Sequence, residues 1–193
     1  MKILMIFVLL FFVAGCVPDR FTLNYRADYL QFGKILDDLD SFEQINDNSF
    51  KLRSGRVAIK TPASTQSRLS FNLKIPEGDS VRITMRTVGN EYDNKKGVTF
   101  LLLKSAIEVY EDGKMIKSQE NIKTSSIGEK YINIRTVGDL IKFSRDCDDI
   151  TVKTGLPATE FLIISAPENT EILVTGIEYE EVMENPSERV INY

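Results

Sequence analysis

The chain reads as all-β, an antiparallel β-sandwich with little helix, on three observations. Apolar and polar residues alternate at period two through most of the sequence after residue 49, the pattern of strands with one buried face. Turn-forming residues break that alternation about every 8 to 12 residues, a rhythm typical of sandwiches and barrels. Helical spacing is confined to one short stretch near the start.

In that stretch Phe32, Ile35, Leu36 and Leu39 recur at helical intervals, but Gly33 and Asp37-Asp38-Leu39-Asp40 weaken a helix. Either one helix or an irregular first strand follows. "FKLRSGRVAI" begins the sandwich, and "RLSFNLKIP" alternates cleanly, with Leu69, Phe71, Leu73 and Ile75 on one side. A turn at Pro76-Glu77-Gly78-Asp79 leads into "VRITMRT", with Val81, Ile83 and Met85 inward. The two segments read as a half-buried antiparallel hairpin. "GVTFLLLK" is a more buried strand, and "AIEVYEDGKMIKSQ" is a hairpin turning at Asp112-Gly113. "KYINIRTVGDLIKFSRD" is another, turning at Val137-Gly138-Asp139. "EFLIISA" and "EILVTGIEYEEV" supply two closing strands, and a polar tail follows.

The first residues are of another kind. Ile3 to Val13 is an unbroken apolar run of 11 residues preceded by Lys2. As a helix it reaches about 16 Å, short of the roughly 30 Å hydrocarbon core. A cation, a short apolar centre and small residues at its end describe a secretory signal peptide. Val13-Ala14-Gly15-Cys16 resembles the bacterial lipobox. The resemblance implies cleavage before Cys16 and a diacylglycerol on its thiol. Acyl burial at about 0.8 kcal/mol per methylene then holds the chain on a membrane. Val17 stands where an aspartate tends to mark inner-membrane retention, so the outer membrane or cell surface is the expected destination. The expected organisation is a signal peptide over 1–15, anchor and linker over 16–48, a sandwich over 49–183 and a polar tail over 184–193.

The succession "FKLRSGRVAI", "RLSFNLKIPEGDSVRITMRT", "EKYINIRTVGDLIKFSRD" and "TEILVTGIEYEEV" resembles the concanavalin A-like or laminin G-like jelly roll, over roughly residues 50 to 182. The likeness is one of pattern, without a diagnostic motif, and a galactose-binding-like sandwich has a similar rhythm. It implies a sheet face on which a glycan or another envelope component binds.

Composition narrows the chemistry. There is no histidine among 193 residues, which excludes Ser-His-Asp and Cys-His catalysis and the usual zinc sites. There is no tryptophan, a favoured platform for stacking sugars. A net charge of −4 argues against nucleic acid as a general partner. Cys16 and Cys147 are the two cysteines, so a lipidated Cys16 leaves no internal disulfide, and the core must hold the domain.

Outward positions on the alternating strands supply the candidate ligand residues. Ser70 and Asn72, then Arg82, Thr84 and Arg86, then Tyr131, Asn133 and Arg135 share one face if their strands are neighbours. Such a face hydrogen-bonds hydroxyls or clamps carboxylates; the alternative is a solvated face of cross-strand charge pairs. The loop "GNEYDNKKG" offers Asn90, Glu91, Asp93 and Asn94 as oxygen ligands for calcium, though their spacing fits no EF-hand. The acidic neighbours in "DCDD" oppose thiolate formation at Cys147, which reads as buried or inert. Glu178 and Glu180 share a strand face about 6.6 Å apart, within reach of two-carboxylate glycoside chemistry, or form part of a solvated acidic terminal strand. The leading expectation is a lipid-anchored, non-enzymatic binding module of the cell envelope. A carboxylate-based glycoside hydrolase or lyase, and a structural lipoprotein docking a partner protein, are the alternatives.

Overall fold

The structure is a computed structural model and describes residues 31–35, 41–76, 80–87, 96–120 and 128–181. The lipobox with Cys16, the turn at 77–79, the proposed calcium ligands Asn90, Glu91, Asp93 and Asn94, and the C-terminal tail lie outside the described residues.

Every regular element among the described residues is a strand, and every pairing is antiparallel. In order they are β1 (Gln31–Ile35), β2 (Phe42–Asn46), β3 (Ser49–Lys60), β4 (Gln66–Lys74), β5 (Val81–Met85) and β6 (Val98–Leu102). Then come β7 (Ala106–Glu111), β8 (Lys114–Glu120), β9 (Glu129–Val137), β10 (Leu140–Arg145), β11 (Asp148–Lys153) and β12 (Phe161–Glu181). Of the two readings open for the first segment, the strand is the one found, over Gln31–Ile35. It and β2 pair with β3, so the sheet begins ahead of residue 49.

Hydrogen bonding runs without a break through all 12 strands, yet they form two layers. The reason lies in β3 and β12, each of which belongs to both. Residues 55–60 of β3 pair with 161–166 of β12, and residues 50–53 pair with 171–174. Between these halves β3 turns at Ser54 (φ 60°) and Gly55 (φ 91°), left-handed conformations that glycine adopts without strain. Opposite, β12 bulges through residues 167–170, with Asn169 at φ 61° and its amide donating to Ser54 Oγ at 2.8 Å. Layer I is therefore β1-β3-β12-β5-β6-β7-β8, and layer II is β2-β3-β12-β4-β9-β10-β11.

Two expectations are corrected here. "RLSFNLKIP" and "VRITMRT" are not a hairpin: β4 pairs with β9 and β12 in layer II, whereas β5 pairs with β12 and β6 in layer I. Alternation shows only that both segments bury one face, and they bury it against the same core from opposite sides. "EFLIISA" and "EILVTGIEYEEV" are halves of one 21-residue strand, β12.

The inward residues of both layers form a single apolar core. Phe50, Phe71, Phe100 and Phe143 are fully buried; burial of one such side chain is worth about 1.5–3 kcal/mol. Phe100 of layer I stacks on Phe143 of layer II with ring centroids 4.5 Å apart. Polar contacts tie the layers together at the side away from β3 and β12. Lys117 Nζ in β8 donates to the Thr151 carbonyl in β11 at 2.8 Å, and Thr154 Oγ1 donates to Glu111 Oε1. Asp146-Cys147 of "DCDD" is the tight turn between β10 and β11, whose first residues are Asp148 and Asp149, and Cys147 is exposed rather than buried.

Candidate functional site

On the outer face of layer I, three strands bring together residues that are far apart in sequence. Ser165 of β12 lies directly opposite Arg56 of β3 on one side and opposite Arg82 of β5 on the other. Their neighbours Val57, Ile164 and Ile83 are in the core, so alternation turns Arg56, Ser165 and Arg82 outward. An open pocket of about 450 Å³ stands over this row. Its remaining described lining comes from Ser80, just ahead of β5, and from the bends of β3 and β12: Gly55, Ala166, Pro167 and Glu168. The turn that carries the chain between layers thus also shapes the pocket wall.

Ser165 is 7% exposed, and its Oγ has no hydrogen-bond partner among the described residues. A buried hydroxyl left unpaired costs about 1–3 kcal/mol. One step along the strands, Ala58, Ile163, Thr84 and Thr99 form a buried row of smaller side chains, in which Thr84 and Thr99 hydroxyls bond each other at 2.9 Å. Beyond Arg82, Tyr110 donates its hydroxyl to Glu108 Oε2 at 2.6 Å. That bond, with burial and the Glu108 charge, raises the Tyr110 phenol above the ordinary tyrosine value, and the charge of Arg82 opposes the rise.

The outer face of layer II gathers most of the residues singled out from sequence. Tyr131 pairs with Asn72, Asn133 with Ser70 and Arg135 with Arg68; Glu178 and Glu180 of β12 stand opposite Ser70 and Arg68. These polar groups meet one another. Arg68 Nη2 donates to the Tyr131 hydroxyl at 3.3 Å, and Nη1 lies 3.9 Å from Glu180 Oε2. Farther along, Lys142 and Asp149 form an ion pair at 2.7 Å.

Arg82 and Arg86 do not join that face, because β5 belongs to the other layer. Arg86 is buried at 3% exposure, donating from Nη1 to the Leu156 carbonyl at 2.9 Å and from Nη2 to the Gly138 carbonyl at 2.6 Å. Burial pushes its guanidinium below the ordinary arginine value, and Asp139 partly restores it. At the other end Arg145 does similar work, donating to the Leu103 carbonyl at 2.5 Å. These two arginines bolt the layers together. Arg56, Ser165 and Glu168 were not read as site residues; the signal for them is strand adjacency, which local pattern does not carry. Among the described residues no group of three His, Cys, Asp or Glu side chains is placed to hold a metal ion.

No protein-family model and no curated protein matches the sequence. Solved structures do. The carbohydrate-binding module CBM66 from Bacillus subtilis superposes with a TM-score of 0.52 at 14% identity, over 84% of this chain and 100% of that one. The exoplasmic/lumenal domain of VIP36 in its Ca2+/Man-bound form gives 0.55 at 12% identity, over 79% and 84%. Caenorhabditis elegans galectin LEC-6 gives 0.50 at 14%, over 72% and 100%. These likenesses define the class of fold: an antiparallel jelly-roll β-sandwich of the lectin-like kind.

Proposed function

We propose that the chain is an exported, lipid-anchored glycan-binding module, with its ligand seated in the layer I pocket rather than on the layer II face. The observation that carries this reading is the row Arg56–Ser165–Arg82 beneath a pocket of about 450 Å³, within the range of small-molecule sites. A buried hydroxyl without a partner among the described residues, beside the exposed Arg82 guanidinium, offers donors to sugar oxygens. The fold agrees, since three of its structural relatives are a carbohydrate-binding module, a mannose-bound domain and a galectin. A carboxylate-based hydrolase needs two acids on one cavity. This pocket has one among its described lining residues, Glu168, while Glu178 and Glu180 face away from it on layer II.

Calorimetric titration of the chain against a panel of envelope oligosaccharides tests the reading. Binding that Arg82→Ala weakens and Glu178→Gln leaves intact supports it; no binding across the panel overturns it. The anchor rests on Val13-Ala14-Gly15-Cys16, and the outer membrane is its proposed destination. Mass spectrometry of the N-terminal peptide tests the anchor separately: an unacylated Cys16 removes it and leaves the binding reading standing.

A further inference from the structure

We infer that the sandwich sits on the bilayer through one end, with Met115, Ile116, Val137 and Leu140 against lipid and the layer I pocket turned away; this inference rests on the lipid-anchor reading above. Strand register defines the ends. Gln31 pairs with Lys60 and Met85 with Leu162 in layer I, while Gln66 pairs with Val137 in layer II. Only residues 61–65 join Lys60 to Gln66, so these positions share one end, the one from which β1 enters the fold. Gly55, Ser80 and Pro167 of the pocket lie at the other end, as does Cys147, beyond the far terminus of β10.

Six large apolar side chains are exposed among the described residues, and four of them gather at the entry end. Val137 and Leu140 flank the β9–β10 turn of layer II and are direct cross-strand partners. Met115 and Ile116 follow the β7–β8 turn of layer I; Glu111, just before that turn, pairs with Val98, which pairs in turn with Met85. Both turns are pinned to neighbouring elements. Asp112 N–H donates to the Gly97 carbonyl at 3.0 Å, and Gly138 N–H to the Thr65 carbonyl at 2.8 Å, with Arg86 Nη2 on the Gly138 carbonyl at 2.6 Å. Each layer thus presents a fixed apolar tip at the same end. Residues 17–30 separate Cys16 from Gln31 and span at most about 50 Å when extended. Such a tether brings this end to the membrane but leaves the body free to roll, and the two tips select the orientation. Burying them at the lipid surface removes apolar area from water. On a chain already held by its acyl groups the contact is intramolecular, so a small area is enough.

The test uses the acylated full chain in phosphatidylethanolamine–phosphatidylglycerol vesicles whose headgroups carry a nitroxide that quenches a thiol-linked fluorophore. One reporter is the native Cys147, exposed at the pocket end. The other is Ala63→Cys, at an exposed loop position of the entry end, in a Cys147→Ser background. The expected result is loss of emission at 63 and none at 147. Met115→Ser, Ile116→Ser, Val137→Ser and Leu140→Ser together remove the difference, while flotation with the vesicles is unchanged because the acyl chains still hold. Should the four together fail to fold, Leu140→Ser alone shrinks it. Equal quenching at both sites, quenching chiefly at 147, or a difference that these serines leave intact overturns the inference alone. A concentration-dependent dimer that the serines dissolve assigns the tips to a second copy of the chain and overturns the lipid contact. A chain with unacylated Cys16 that does not float overturns the anchor reading and this inference with it.

Discussion

The outer faces of the two layers are built from the same period-two alternation but use their polar groups differently. Across layer II, a cation on one strand meets an anion or a phenol on the next, as Arg68 does with Glu180 and Tyr131 and Lys142 with Asp149. Across layer I, the corresponding row places a hydroxyl between two arginines and leaves the hydroxyl unpaired. What separates the two rows is which residues the register sets side by side.

The largest expected effect is on the core that both faces share. Phe143→Ala removes the ring stacked on Phe100 and lowers the unfolding free energy by about 3–5 kcal/mol in urea titration. Because the two layers bury their apolar residues in one cluster, both are lost in a single transition; separate transitions would show that the faces do not share a foundation.

A step smaller is Arg86→Ala, which strands the carbonyls of Leu156 and Gly138. A cost of about 2–3 kcal/mol is expected, with glycan affinity of the folded protein unchanged. An affinity lost in step with stability would place Arg86 in the site.

Ser165→Ala sharpens the comparison by its sign. Deleting a buried, unpaired hydroxyl raises the thermal stability of the ligand-free chain, by about 1 kcal/mol, while weakening the ligand complex. On layer II, Lys142→Ala breaks an exposed ion pair and lowers stability by less than about 1 kcal/mol without touching binding. A destabilised Ser165→Ala would mean that the hydroxyl is satisfied in solution and that the contrast between the faces is false.

The smallest effect is a titration. Tyr110 ionises above the ordinary value of about 10, chiefly because its proton is held by Glu108. The raised folded-state value means that the stability from this bond is intact below the unfolded pKa and is lost as pH rises through the folded one. Ultraviolet difference titration of Glu108→Ala should show the Tyr110 transition at lower pH; an unmoved transition would remove Glu108 as its cause.

Much of the fold was legible because alternation is local. The inward sets Leu69, Phe71, Leu73 and Val81, Ile83 follow from sequence, as do the turns at Asp112-Gly113 and Gly138-Asp139. Two strands escaped notice: β2 has four exposed residues, and β11 is entered through an acidic turn that resembles a loop. The site was less legible. Arg82 was identified as outward-facing, but its companions Arg56 and Ser165 lie 26 and 83 positions away, and only hydrogen-bond register joins them. The same ignorance of register set Arg82 and Arg86 beside Tyr131, Asn133 and Arg135, which belong to the opposite layer. Arg86 itself departs from the alternation because its backbone is left-handed, at φ 54°, which turns the side chain toward the interior.

The passage of β3 and β12 through both layers has a mechanical consequence. Their shared bend at Ser54-Gly55 and 167–170 works as a corner post, and Gly55, Pro167 and Glu168 belong at once to that post and to the pocket wall. Any change in the tilt of one layer against the other must pass through this corner. A molecule wedged there would touch the segments that join both slabs, so its occupancy would brace the body against shear.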